Sequence, residues 1–165
     1  MASGLPAGFS TIRALALDVD GVLTDGGVWW GDDGTESKRF SFADIMGVSL
    51  ATKAGLIVTL ISGEDSPLVD RFATKMNIQD VTKGCKDKAS ALRAFAERQG
   101  LALGEICFMG DDVNDLGAME IAGYSAAPAN AQPAVRKAVR YVAVANGGHG
   151  AVRELVDMIL AGDAR

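Results

Sequence analysis

Leu15-Ala16-Leu17-Asp18-Val19-Asp20-Gly21-Val22-Leu23-Thr24-Asp25-Gly26 begins as an apolar run too short for a helix and stops on two carboxylates spaced i, i+2. Such a run predicts a buried strand that delivers acids to its own end. In an open parallel sheet, ligands gather outside the carboxyl ends of the strands, where Asp18 and Asp20 would stand. The spacing puts both side chains on one side of the extended backbone, and Gly21 lets the chain turn away. Two like charges held that close repel unless a cation or a shared proton relieves them. A hard, oxygen-preferring ion such as Mg²⁺ suits the pair. Taken alone, Asp-x-Asp-Gly also reads as a turn after a strand. An EF-hand is excluded, because apolar Val22 and Leu23 occupy loop positions and no glutamate closes the loop.

With 165 residues the chain is expected to form one domain, 1–165, large enough for a real core. Its composition, 48% hydrophobic and 22% charged, is that of a soluble globular protein. No apolar run reaches the length of a membrane span and the first dozen residues lack a secretory pattern, so a cytoplasmic location is expected. A net charge of −5 with no basic stripe argues against a nucleic-acid partner. Cys85 and Cys107 are too few for a disulfide framework or a zinc site, and both read as reduced, Cys107 within a strand.

Along the chain, residues 1–11 read as a loose, Gly/Ser-rich lead-in and 13–19 as the first strand. Residues 26–30 and 36–40 flank Gly31-Asp32-Asp33-Gly34 as a β-hairpin. A helix over 43–54 leads to Leu56–Ile61, an unbroken apolar strand of the kind buried on both faces. Ser66-Pro67 starts a helix by N-cap and first-turn proline. A strand near 79–82, a helix over 87–99 and a strand at 105–110 follow. Then come a helix over 113–121, a strand near 124–126, a short helix over 130–137 and a last strand at 141–144. Gly147-Gly148-His149-Gly150 reads as a flexible loop before a closing helix, with Val152, Leu155, Val156, Ile159 and Leu160 as its apolar stripe. Alternating strands and helices predict a doubly wound, mainly parallel α/β sheet with helices on both faces, plus the protruding hairpin.

Asp18-Val19-Asp20-Gly21-Val22-Leu23-Thr24, taken with Gly110-Asp111-Asp112-Val113-Asn114-Asp115, resembles the first and fourth motifs of the haloacid dehalogenase superfamily of phosphotransferases. The resemblance implies a phosphatase in which Asp18 attacks phosphorus, forming an aspartyl phosphate. Asp20 then protonates the leaving oxygen and later activates water. Mg²⁺ would be held by Asp18, Asp111 and the backbone carbonyl of Asp20. Asp115 matches the acid that fixes the metal ligands from behind, and Asp112 either joins it or caps the next helix. Ser62 matches the phosphate-gripping Ser/Thr of the family, with the Gly63 N–H beside it, although Ser-Gly before a helix is also an ordinary turn. Lys88 matches the lysine that counters charge between nucleophile and phosphate. Lys83 and Lys86 compete for that role, and Gly84-x-x-x-Lys88 before small and apolar residues favours Lys88.

A narrower resemblance takes in nearly the whole chain. Superfamily members that cleave phosphate from eight- and nine-carbon sugar acids have no large cap. They carry a hairpin after Asp-x-Asp-Gly-Val-x-Thr-Asp-Gly and a Gly-Gly-x-Gly-x-x-Arg-Glu segment near the C-terminus, here residues 18–26, 26–40 and 147–154. The resemblance implies a homotetramer joined through the hairpins, on which Trp29 and Trp30 would be covered. Glu64 and Lys75 match a Glu and a Lys of the phosphatases acting on nine-carbon, sialic-acid-like 9-phosphates, as substrate-binding residues. Phosphatases of KDO (3-deoxy-D-manno-octulosonate) 8-phosphate usually have Arg directly after the Gly. His149 stands where many relatives have Arg or Glu, and a lone His in a Gly loop carries at most a binding role.

Two readings from other classes stand beside this one. The chain resembles the small phosphatase-like subunit of phenylphosphate carboxylases, which would make it part of a larger complex. A phosphoacceptor signalling module also pairs strand-end acids with a lysine, but it places adjacent acids on strand one and the phosphorylated Asp on a middle strand.

Overall fold

The computed structural model describes residues 9–163, to which every statement on the fold refers. The predicted first strand is β1 (Ala14–Leu17), buried along its whole length. Leu15 and Leu17 point into one hydrophobic layer, and Ala14 and Ala16 into the other. The hairpin follows as β2 (Trp29–Trp30) and β3 (Glu36–Ser37), antiparallel, with an isolated bridge from Thr24 to Phe40 at its base. Its paired arms are shorter than 26–30 and 36–40.

The chain continues through α1 (Phe42–Lys53), β4 (Ile57–Ile61), α2 (Pro67–Met76), β5 (Asp80–Thr82), α3 (Lys88–Gln99) and β6 (Ile106–Met109). A 3₁₀ turn at Val113–Asp115 feeds α4 (Leu116–Ile121), where one helix was expected over 113–121. Then come β7 (Tyr124–Ala127), α5 (Pro133–Ala138), β8 (Tyr141–Val142) and α6 (Ala151–Asp163). Helix α5 begins at the proline rather than at Asn130, whose side chain instead accepts a hydrogen bond from the Gly147 N–H. The cap expected at Ser66 is present: its hydroxyl accepts from the Leu68 N–H, one residue before Pro67.

Strand order in the main sheet is β5-β4-β1-β6-β7-β8, all parallel. The order reverses at β1, so the crevice at the carboxyl end of the sheet opens beside the residue that follows it. Helices α1, α2 and α6 cover one face through Val48, Phe72, Leu155 and Ile159, packed on Leu15, Leu17 and Met109. Helices α3, α4 and α5 cover the other through Leu92, Phe95, Met119 and Val135, packed on Ala14, Ala16 and Phe108. The small Ala14 and Ala16 leave room for the large Phe108 and Phe95 on that side. Among the described residues both cysteines are free, and Cys107 is buried in β6 where desolvation pushes its thiol pKa up. No helix among them is long and apolar enough to cross a membrane.

Two further features depart from the sequence reading, and a third, at Asp44, has no counterpart in it. The expected loose lead-in lies partly outside the described residues, but its end is ordered: Phe9 is buried in a 3₁₀ turn and packs its ring 4.3 Å from that of Tyr124. The Gly147–Gly150 loop, expected to be flexible, is packed against the turn after β1. A β-carbon on Gly147 would stand 1.8 Å from the Gly21 carbonyl oxygen, and the Gly148 N–H donates to the Val22 carbonyl at 3.0 Å. Finally, Asp44 on α1 is buried and accepts from the N–H groups of Gly150, Val152 and Arg153, so one helix caps the start of another far along the chain.

Candidate active site

Three neighbouring parallel strands end side by side, and the residues just beyond them carry the chemistry. Asp18 follows β1, Ser62 follows β4, and Gly110-Asp111-Asp112 follow β6. The Asp18 N–H continues the sheet by donating to the Met109 carbonyl at 3.0 Å, which fixes its backbone, and the residue is 5% exposed.

Lys88, the first residue of α3, is fully enclosed and reaches across the strand ends. Its Nζ lies 2.9 Å from Asp18 Oδ1 and 2.6 Å from Asp115 Oδ1, so it is no solvated helix lysine. Lys83 is engaged elsewhere, with Asp65 and Asp70, and Lys86 is exposed. The second oxygen of Asp115 accepts from the N–H groups of Asp111 and Asp112, at 2.9 and 3.2 Å. Asp115 is thus spent on holding Lys88 and the 110–112 loop. Asp112 accepts from the Val113 N–H and so caps the 3₁₀ turn.

One carboxylate oxygen from each of Asp18, Asp111 and Asp115 lies within 4.8 Å of the others. Against these three charges stands the single ammonium of Lys88. Burial above all, then the nearby Asp115, raises the Asp18 pKa well above its ordinary value, and Lys88 only partly offsets this. Burial, then Asp115 and Asp112, pushes the Asp111 pKa up to about 6. An all-oxygen cluster with surplus negative charge fits a hard divalent cation, which would restore the ionised forms. With Asp115 committed to Lys88 and two amides, Asp18 and Asp111 are the side chains left to hold it.

Asp20 sits apart from that cluster. Its Oδ1 meets the Nζ of Lys38, from the end of the hairpin, at 2.9 Å. This pairing has no signal in the local sequence. Asp18, Asp20, Gly63, Glu64, Lys88, Asp111, Asp112 and Asn114 line one cleft of about 250 Å³, together with Gly26. Ser62, beside the lining residue Gly63, is itself buried and does not line the cleft; its Oγ accepts from the Glu64 N–H at 3.2 Å in the Ser-Gly turn. Asn114 is an addition to the expected residues, and a β-carbon on Gly63 would stand 3.5 Å from its amide.

Lys75 is placed differently from the expectation. It lies on α2 with Arg71, at a separate cavity of about 340 Å³ floored by the stacked rings of Phe40 and Phe72. Helix α2 starts at Pro67, soon after the Ser62-Gly63 turn, and Lys75 in its last turn does not line the cleft with Glu64. His149 also lies outside it, with Nδ1 2.9 Å from the Gly147 carbonyl oxygen.

Residues 35–155 match the haloacid dehalogenase-like hydrolase family. The chain is 36% identical over 149 residues to the 3-deoxy-D-manno-octulosonate 8-phosphate phosphatase of Escherichia coli K12, covering 90% of this chain and 79% of that protein. It is equally identical to the Haemophilus influenzae enzyme of the same name, covering 83% of it. The structure superposes with a TM-score of 0.93 on the Moraxella catarrhalis phosphatase in complex with magnesium, phosphate and KDO, at 34% identity over 95% of this chain and 90% of that one. The cobalt-bound Haemophilus influenzae structure gives 0.92 at 34% identity, covering 95% and 92%.

Proposed function

The chain belongs to the haloacid dehalogenase-like hydrolases and is a phosphoric monoester hydrolase, and from that premise we propose that it is a Mg²⁺-dependent phosphatase of a sugar-acid phosphate, with residues 1–165 as a single catalytic domain. The observation that carries the reading is the meeting of Asp18, Asp20, Lys88 and Asp111 in one cleft at the point where strand order reverses. The similar proteins, one of them with magnesium and KDO bound, point to the same class of substrate.

In this reading a carboxylate oxygen of Asp18 attacks phosphorus and the ester P–O bond breaks. The leaving oxygen takes a proton from Asp20, at the cleft wall. Asp20 then takes a proton from water as that water attacks the aspartyl phosphate, whose P–O bond to Asp18 breaks to release phosphate. Lys88 holds Asp18 oriented and balances charge throughout, and Ser62 and the Gly63 N–H grip the phosphate. Asp18, Asp111 and the Asp20 backbone carbonyl would hold Mg²⁺, which would supply the remaining positive charge against the phosphate.

Substrate choice rests on Glu64, exposed at the rim of the cleft. A carboxylate there repels the carboxyl group of a sugar acid and suits the hydroxylated or amino-bearing tail instead. We assign the chain to nonulosonate 9-phosphates over KDO 8-phosphate because Glu64 matches the Glu that phosphatases of the nine-carbon substrates carry after this glycine, where those of KDO 8-phosphate usually have Arg. Lys75 lines the neighbouring cavity and not this cleft. Steady-state phosphate release on both substrates at saturating Mg²⁺ tests the assignment. The expected result is a higher kcat/KM for the nine-carbon substrate, with the ratio narrowed or reversed by Glu64→Arg. A tenfold preference of the wild type for KDO 8-phosphate would overturn the assignment and leave the phosphatase reading intact.

A further inference from the structure

Asp20 is the proton donor and acceptor of the reaction proposed above, yet almost nothing holds its side chain. Among the described residues its carboxylate has one hydrogen-bonding or ionic partner, Lys38 Nζ at 2.9 Å. Lys38 is not a surface lysine that happens to reach this far, because its side chain is only 7% exposed. It leaves the end of β3 two residues after Glu36, on the same side of the extended backbone. Glu36 Oε1 lies 3.4 Å from the same ammonium.

Glu36 is itself tied down. Its Oε2 accepts from the Trp30 indole N–H at 3.1 Å across the hairpin, and its Oε1 accepts from the Ser66 hydroxyl at 3.4 Å, at the start of α2. A relay of contacts thus runs from the hairpin through Glu36 and Lys38 to the carboxylate of Asp20. The same residues wall a space of about 250 Å³ that shares Asp20, Gly26 and Glu64 with the cleft.

We propose that Lys38 is a positioning residue for Asp20, aiming its carboxyl group at the leaving-group oxygen, and that Glu36 holds Lys38 to that task. A proton donor works only within about 2.6–3.2 Å of the atom it serves. Released from Lys38, the Asp20 side chain is free to rotate next to a glycine turn, and the proton transfer loses its geometry. Attack by Asp18 is untouched, since Lys88 and the sheet hold that residue independently.

The inference rests on the phosphatase reading, and leaving-group dependence separates the two. A p-nitrophenolate leaves without a proton, whereas the alkoxide of a sugar or a simple alkyl phosphate needs one. Lys38→Met keeps the length of the side chain and removes the ammonium. Its kcat/KM on an alkyl phosphate is expected to fall about ten- to a hundredfold further than its kcat/KM on p-nitrophenyl phosphate. Lys38→Arg, which can still reach Asp20, is expected to recover part of that difference. Losses equal within twofold on both esters would overturn the proposal while leaving the phosphatase intact. A wild-type chain that releases no phosphate with Mg²⁺ from these esters or from any sugar-acid phosphate would overturn the phosphatase reading and this proposal with it. Should Lys38→Met not fold, Glu36→Gln is expected to show the same split at smaller size, and no split there would overturn the proposal equally.

Discussion

Gly21 and Asp111 are in such close contact that a β-carbon added to the glycine would stand 2.0 Å from Asp111 Oδ2. Gly21 also has φ +84°, a conformation that side chains disfavour. The turn after β1 therefore needs glycine for two separate reasons, and the second concerns function. Gly21→Ala is expected to displace Asp111 and to lower kcat about a hundredfold. Its stability cost should be about 1–3 kcal/mol. Paired kinetic and thermal-unfolding measurements check this; full activity in the variant would contradict the requirement for glycine beside Asp111.

The crowded carboxylates make the protein's stability depend on pH and on metal in opposite senses. With its pKa raised to about 6 by burial, Asp115 and Asp112, Asp111 in the metal-free folded chain keeps a proton that the unfolded chain has already lost. The folded state binds more protons between the ordinary carboxylate value and about 6, so this group's contribution to stability falls as pH rises through that window. A dication takes the place of the proton. The Tm increase on adding Mg²⁺ should therefore be large above pH 7 and shrink steadily below pH 6. Differential scanning fluorimetry with and without EDTA reads it directly, and an increase that grew on acidification would contradict the assignment of Asp111.

Much of this arrangement was legible in the chain itself, and the parts that were not share a cause. Apolar runs that end on Asp18, Ser62 and Asp111 mark buried strands and their ends, because short, fully buried strands leave their chemistry to the residue just outside. Each strand end could be read by itself. Side-chain partnerships between distant segments could not. Lys88 was matched by motif, but its enclosure between Asp18 and Asp115 depends on α3 starting over the strand ends. Lys38 on Asp20 depends on how the hairpin folds back, and Asp44 as cap of α6 depends on the packing of α1 against α6. Lys75, matched to the family by position alone, lines a different cavity from Glu64, because a match in sequence carries no information on the direction in which α2 runs from the cleft.

The hairpin presents Trp29 and Trp30 at 73% and 76% exposure, with Val28, Phe42 and Met46 also exposed. Two indoles left in water are a liability that association would remove. We expect four copies to meet through this hairpin. Static light scattering should give a tetramer for the wild type. Replacing both tryptophans with Ser should lower the assembly state and weaken turnover of the sugar phosphate together. A monomeric wild type at working concentration would exclude this arrangement.

The most direct test of the account is phosphate release by the wild type and by Asp18→Asn on a panel of sugar-acid phosphates, with Mg²⁺ and with EDTA. Asparagine is nearly the same size as aspartate but has no carboxylate to attack phosphorus. The expected result is Mg²⁺-dependent release by the wild type and none above background by the variant, which should still show a wild-type circular dichroism spectrum. Turnover retained by a correctly folded Asp18→Asn would contradict covalent catalysis by the residue at the end of β1.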